Sequence, residues 1–285
     1  MEKTGSNSTF LRGTVEYIES GRSAILDADA ILDADKDITS RTAFKNVTVL
    51  RSGPDAGAQT NANNQDANKP ETGKQAELLL LVRQCFEAVT PGLIQVESTI
   101  TNSFKSEVPL LSDISHYLLG LGGKRIRPVL ALLCGRLFGM LEPNKILIEA
   151  AAGIELIHMA TLLHDDIIDQ SPLRRHQQTA YLKFGLPASL LAGDFLWVRA
   201  FGLCAHLGEF IVRETESACV ELTEGEILEA PLSPEKECSL ENYRVLISKK
   251  TGTLFELSAI VGGHVADADA HDLAQLRILG RSMGI

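Results

Sequence analysis

No long run of basic residues interrupts this sequence. Its 285 residues carry 27 Lys+Arg against 37 Asp+Glu, a formal net charge of −10. An acidic chain without a basic stripe is poorly suited to binding nucleic acid through its phosphates. A small phosphorylated ligand, held by a local basic cluster, stays within reach. Long apolar runs are scarce as well, and none is expected to approach the ~20 residues that cross a bilayer. The opening residues, MEKTGSNSTFLRG, lack the apolar core of a signal peptide. Glu16, Glu19, Asp27, Asp29, Asp33, Asp35 and Asp37 speak against an organelle transit peptide. The five cysteines are scattered and no pair has CxxC spacing, which suggests neither a zinc knuckle nor a disulfide framework. Aromatics make up only 5% of the chain, against an ordinary apolar content of 45%. The expectation is a globular, cytoplasmic protein with reduced thiols.

The composition changes at about residue 75. Residues 52–74 read SGPDAGAQTNANNQDANKPETGK, with alanine as the only apolar side chain. Such a stretch cannot bury enough surface to offset its ordering entropy and reads as a linker. Ahead of it stands a tandem copy, AILDAD at 24–29 and again at 30–35. It is too short for a solenoid and lacks the ligand order of an EF-hand. Residues 1–75 are therefore expected to form a weakly ordered extension. From Gln75 the apolar residues recur at intervals of three and four, as in Leu78, Leu81, Val82, Cys85, Phe86 and Val89. Helices are expected near 108–120, 128–139, 144–170, 187–206, 209–230, 240–262 and 268–284, separated by Gly and Pro. No segment alternates long enough for a sheet. The domain spanning 76–285 is expected to be all-α.

Two aspartates stand out. In LLHDDIID, Asp165 and Asp169 are four residues apart, so a helix places both carboxylates on one face. Like charges at that spacing destabilise a helix unless a cation lies between them. Oxygen ligands favour Mg²⁺, which commonly takes one or two carboxylates and leaves its other positions to water and phosphate. A solvated acidic patch would have the same spacing. The stretch is set, however, among Ile157, Met159, Leu162, Leu163, Ile167 and Ile168. His158 lies two turns earlier on the same face.

Basic clusters flank this helix. GLGGKRIRP at 120–128 combines glycines, which permit close backbone approach, with Lys124, Arg125 and Arg127, and Pro128 opens a helix whose N–H groups favour anions. Arg174 and Arg175 follow the aspartates, and guanidinium groups bind phosphate oxygens bidentately. KKTG at 249–252 and the pair Glu224 and Glu226 are weaker signals. Together, acidic and basic clusters in one apolar helical domain imply a diphosphate bridged by Mg²⁺ and attached to a hydrocarbon.

GGKRIRP, LLHDDIID, the Arg pair, GDFL at 193–196, GE and KKTGTLFE, in this order, closely resemble the trans-polyprenyl diphosphate synthases, best the long-chain octaprenyl and solanesyl type. The resemblance covers residue 76 to the last residue. It implies an isoprenoid synthase-type helical bundle around a central cavity, acting as a homodimer without nucleic acid or a transmembrane segment. The implied activity is condensation of isopentenyl diphosphate with an allylic diphosphate, assisted by Mg²⁺. By motif position, Asp165 and Asp169 would hold the metal with Asp166 in support. Lys124, Arg127, His158 and Arg175 would bind isopentenyl diphosphate, and Arg174, Lys250 and Thr251 the allylic diphosphate. Ala160 and Thr161, both small, would leave the path of the growing chain open where an aromatic residue would shorten the product. The sequence departs from the family at His176, usually Gly, and at Glu229, commonly Gln. It also stops at GRSMGI, where a second aspartate-rich motif is expected, so an incomplete bundle and weak or absent activity of this chain are expected. A non-catalytic partner subunit or inactive fragment is the competing reading. A terpene cyclase has no use for the second diphosphate cluster, and an HD phosphohydrolase needs further metal-binding histidines.

Overall fold

Proline, glycine and short polar side chains set the helix boundaries in a computed structural model that describes residues 69–229 and 239–285. The tandem repeat and most of the linker segment lie outside those residues. The elements are α1 (Lys69–Ser103), α2 (Pro109–Gly120), α3 (Ile126–Leu137), α4 (Lys145–Ile168), a hairpin of β1 (Leu173–Arg174) and β2 (Gln177–Gln178), α5 (Ala180–Phe184), α6 (Leu186–Cys204), α7 (Glu209–Glu229), α8 (Leu240–Ile247), a π-helical turn at Ser248–Gly252, α9 (Thr253–Val265) and α10 (Ala270–Gly284). The domain is all-α apart from the hairpin. Helix α1 begins inside the segment that composition reads as linker.

Local chemistry accounts for the starts. Pro109 occupies the first turn of α2, and Val108 before it is extended, as the residue ahead of a proline must be. Asn144 caps α4, its side chain accepting from the Leu147 N–H at 2.9 Å. Ser239 caps α8 and Asp269 caps α10 in the same way. The end of α4 bears directly on the site. Asp169 is its last capping residue and Gln170 is left-handed, φ 51°. Ser171 N–H then donates to the Asp166 carbonyl at 3.1 Å, and Gln170 N–H to the Ile167 carbonyl at 3.2 Å. This pair of reversed bonds is a Schellman closure, with glutamine where glycine is usual.

The core of residues 86–285 is built on α4. Ala150, Ala151, Ala152, Ile154, Leu156, Ile157 and Ala160 are all essentially inaccessible, and the helix packs against α3, α6 and α9. A helix apolar on most of its circumference belongs in an interior. By length and mean hydropathy both α4 and α6 are long and apolar enough to cross a membrane, contrary to the expectation from the sequence. In α4 the property reflects its central place. In α6 only 28% of the apolar window is buried, and Leu186, Leu190, Leu191 and Val198 are exposed.

Helices α7, α9 and α10 are tied by ion pairs. Arg281 binds Glu221 of α7 at 2.6 Å and also Glu256 of α9, while Arg277 binds Glu256 at 2.9 Å and Glu214. Cys85, Cys134, Cys204 and Cys219 are free thiols; Cys238 lies outside the described residues.

Candidate active site

At ~3.6 residues per turn, Glu155, His158, Leu162, Asp165 and Asp169 form one stripe along α4. Asp165 is partly buried and Asp169, at the helix end, is exposed. Burial pushes the Asp165 carboxyl up to about 6, Glu226 of α7 and Asp169 push the same way, and Lys250 and Arg174 oppose them. A cation beside Asp165 would remove the penalties that burial and these two carboxylates impose. Among the described residues, no three His, Cys, Asp or Glu side chains converge to hold a metal by themselves. The pair Asp165 and Asp169 therefore suits an ion that takes its remaining ligands from water or phosphate, as Mg²⁺ does.

Asp166 has another engagement. Its side chain is 3% exposed, and Arg174 Nε donates to both carboxylate oxygens at 2.9 Å while Nη2 lies 2.7 Å from Oδ1. A buried carboxylate held this way fixes the arginine rather than offering open lone pairs. Arg174 arrives on the hairpin, in which Leu173 pairs with Gln178 and Arg174 with Gln177. The two turn residues, Arg175 and His176, have φ of 49° and 63°. A two-residue turn with both residues left-handed is the type I′ hairpin, which favours Asn and Gly. Neither is present, so the loop keeps its shape without the residues that favour it. Thr179, fully buried, closes the base by donating to the Ser171 carbonyl at 2.8 Å, and the Tyr117 hydroxyl donates to the Gln178 carbonyl.

Arg127, His158 and Arg175 come together near Arg174 and Arg125. Desolvation, then the charges of Arg127, Arg174, Arg175 and Arg125, hold His158 well below its ordinary range, so its imidazole is neutral at neutral pH. Desolvation also lowers Arg127 and Arg175, and Glu155 offsets it in both. Arg127 lies 5.1 Å over the Phe255 ring, and its buried Nε has no hydrogen-bond partner among the described residues. Lys124 is partly accessible. Arg174 links the two regions, because its charge acts on both His158 and Asp165.

Lys250 and Thr251 lie in the π-helical turn. Lys250 pairs with Glu226 at 2.9 Å and with Glu229. Burial opposes its protonation, yet the hydrogen bonds to Glu229 and Glu226 raise it above the ordinary lysine range. Glu229, one of the departures noted above, thus acts as a counter-charge to a candidate phosphate ligand.

Ala160 and Thr161 separate. Ala160 has no accessible surface and lies with Gly153, Ile157 and His164 on the face of α4 that meets α6. A Cβ on Gly153 would sit 2.8 Å from Cys204 Sγ, and one on Gly193 would sit 2.2 Å from His164 Nε2. Thr161 is partly accessible and donates to the His158 carbonyl at 2.9 Å. Reasoning from the sequence missed Glu97 and Glu155. Glu155 carried a usable signal: it is a lone charge within AAAGIELI, three residues before His158.

The polyprenyl synthetase family pattern matches residues 108–285. Octaprenyl diphosphate synthase of Escherichia coli (strain K12) is 38% identical over 199 residues, which cover 70% of this chain and 61% of that protein. Nonaprenyl diphosphate synthase of Mycobacterium tuberculosis is 32% identical, over 69% of this chain and 58% of that protein. Among solved structures, polyprenyl synthase from Caulobacter crescentus CB15, complexed with calcium and isoprenyl diphosphate, superposes with a TM-score of 0.68 at 33% identity, over 71% of this chain and 62% of that one. A decaprenyl diphosphate synthase from Rhodobacter capsulatus also gives 0.68, at 32% identity and the same coverage. The chain thus spans about three fifths of the length of these relatives.

Proposed function

This chain belongs to the polyprenyl synthetase family, and from that premise we propose that the whole protein is a trans-prenyltransferase making a long-chain polyprenyl diphosphate. The observation that carries the reading is the arrangement on α4, where Asp165 and Asp169 share one helical face with His158 and Arg174 couples the two regions. Two diphosphates of different roles fit two such neighbouring regions.

Lys124, Arg127, His158 and Arg175 would hold isopentenyl diphosphate. A neutral His158 can donate one hydrogen bond without adding charge to a crowded cationic site. Arg174, Lys250 and Thr251 would hold the allylic diphosphate, with Lys250 leaving Glu229 to do so. Asp165 and Asp169, with the support of Asp166 through Arg174, would hold Mg²⁺, which when bound neutralises charge on the departing diphosphate. The allylic C–O bond breaks and the diphosphate leaves with the electron pair. Arg174 and Lys250 face the negative charge that develops there. The isopentenyl double bond attacks the allylic carbon to form the new C–C bond, and loss of a proton restores a double bond. The octaprenyl to decaprenyl products named for the relatives support a long product.

A homodimer belongs to the same reading. It is supported by the apolar residues that α6 leaves exposed, Leu186, Leu190, Leu191 and Val198, with Leu182 of α5 beside them in the chain. Light scattering should give twice the chain mass, and Leu191→Glu with Val198→Glu should return it to the monomer.

The deciding experiment is turnover of labelled isopentenyl diphosphate with an allylic primer by the whole protein. A labelled, organic-extractable polyprenyl product that forms with Mg²⁺ and not with EDTA is expected. Asp165→Ala should abolish it, together with Mg²⁺-dependent binding of an allylic diphosphate analogue. Analogue binding that survives Asp165→Ala unchanged overturns the metal assignment.

A further inference from the structure

Arg125 is the anomaly of the basic loop. Its neighbours Lys124 and Arg127 are partly accessible, but Arg125 is 5% exposed. It caps α3 in the left-handed region, φ 49° and ψ 35°, which is unfavourable for a residue with a Cβ. Strained backbone of this kind persists where the surroundings over-determine it, and here two carboxylates do so. Arg125 Nε donates to Glu97 of α1, and Nη1 donates to Glu155 of α4 at 3.3 Å. The side chain turns back beneath its own loop, so closely that a Cβ on Gly123 would meet Arg125 Nη1 at 2.1 Å. Gly123 is therefore small to admit this guanidinium, not only to admit a ligand. Arg175 rests on the same loop, its Nη1 donating to the Leu121 carbonyl at 3.4 Å.

The anchor on α4 is as buried as the arginine. Glu155 is 3% exposed on its side chain and Glu97 21%. Glu155 also opposes the charges of Arg127 and Arg175. One carboxylate on α4 thus fixes the loop through Arg125 and balances the two guanidinium groups on either side of it. Arg125 Nη2, Arg127 Nε and Glu155 Oε2 are buried without partners among the described residues. A side chain this enclosed and doubly paired does not reach into a pocket for an anion. What it does determine is the path of residues 121–127, and hence where Lys124 and Arg127 point.

We propose that Arg125, anchored by Glu97 and Glu155, is a positioning residue that sets the 121–127 loop so that Lys124 and Arg127 converge on the diphosphate of the isopentenyl substrate. The proposal rests on the reading of the basic cluster as that diphosphate site. It assigns Arg125 no contact with substrate. The two arginines of the loop then have different roles, since Arg125 holds the loop and Arg127 binds.

The test uses inorganic diphosphate and the full chain, measured by calorimetry with EDTA and again with excess Mg²⁺. Without metal the basic site is read alone; with Mg²⁺ the aspartate site is added. Arg125→Lys keeps the charge but replaces the planar fork, whose spaced Nε and Nη1 meet Glu97 and Glu155, by one compact ammonium that does not reproduce that geometry. It should weaken metal-free binding by about tenfold and leave the Mg²⁺-dependent component within about twofold. Should Arg125→Lys not fold, Glu97→Gln carries the same test, since that anchor is the most accessible of the three; a loss of about threefold confined to the metal-free arm is expected. Metal-free affinity unchanged in a folded variant overturns the proposal. So does an equal loss in both arms accompanied by a lower melting temperature, which marks a purely structural role. Absence of metal-free binding by the unsubstituted chain overturns the reading of the basic cluster itself, and the proposal with it.

Discussion

Helix α4 has two working faces, roughly 150° apart around its axis. One carries Glu155, His158, Leu162, Asp165 and Asp169. The other carries Gly153, Ile157, Ala160 and His164 and is pressed against α6. On the first face burial disfavours the charged forms of His158 and Asp165. On the second, a methyl group added at Gly153, or at Gly193 of α6 opposite, would overlap a side chain of the other helix. The contrast shows how one helix can be both the centre of a fold and the floor of a site: close packing on one side keeps the charges on the other in register.

The sharpest way to break that contrast is through Arg174, because it makes the charged face carry structure too. Arg174→Met leaves Asp166 buried and unpaired, and should cost about 4 kcal/mol in chemical denaturation. A loss under about 1 kcal/mol would mean that Asp166 finds another partner or a proton easily. Next comes the packed face. Ala160→Phe should lose about 3 kcal/mol and lower the melting midpoint by about 10 °C, whereas Thr161→Phe, between the two faces, should lose less than about 1 kcal/mol. Of the two, Thr161→Phe is then the variant whose product length is worth measuring, and a shorter product is expected. Equal melting midpoints for both would erase the distinction between the faces.

The third test has the opposite sign. The carboxyl of Asp165 is raised from 3.8 to about 6. The folded chain therefore binds this proton more tightly than the unfolded chain does. Ionised Asp165 destabilises the fold fully above pH 6, progressively less as the pH falls, and not at all below 3.8. Asp165→Asn should accordingly stabilise the metal-free protein by about 1 kcal/mol at pH 7.5, after allowance for solvent screening, and lose that gain near pH 4. Thermal melts at the two pH values decide it, and a gain that persists at pH 4 would point to packing instead. The smallest effect belongs to the hairpin that delivers Arg174. His176→Gly removes a left-handed residue with a Cβ and should stabilise by about 0.5 kcal/mol, with the Mg²⁺-dependent binding unchanged.

Much of this architecture is legible in the sequence. Pro109, Asn144, Ser239 and Asp269 mark helix starts by chemistry that needs no tertiary context. Asp165 and Asp169 announce themselves as paired charges in an apolar helix. The hairpin is not legible, since its strands are two residues each and Arg-His is not turn chemistry. The π-helical turn is hidden because KKTG fits an ordinary helix as well. Asp166 and Arg125 show the deeper limit. Each sits beside residues of the same type, and only the fold decides which of them is enclosed and which keeps accessible surface. The apolar length of α4 and α6 is hard to see because their charged and small residues are dispersed, so neither reads as one unbroken run.

The π-helical turn between α8 and α9 has a consequence of its own. A π turn holds about one residue more than an α turn. The phase of the helix is therefore the same before and after it as in a straight helix one residue shorter. Gly225 of α7 lies against this turn, where a Cβ would come within 3.0 Å of the Lys250 backbone nitrogen. Leu254, Leu257, Ile260 and Val261 keep their buried places beyond it. Seen as a length rather than a shape, the turn is a single-residue insertion absorbed without re-registering the core. A chain lacking one residue between 248 and 252 would retain both flanking helices and forfeit only the bulge that displays Lys250 and Thr251.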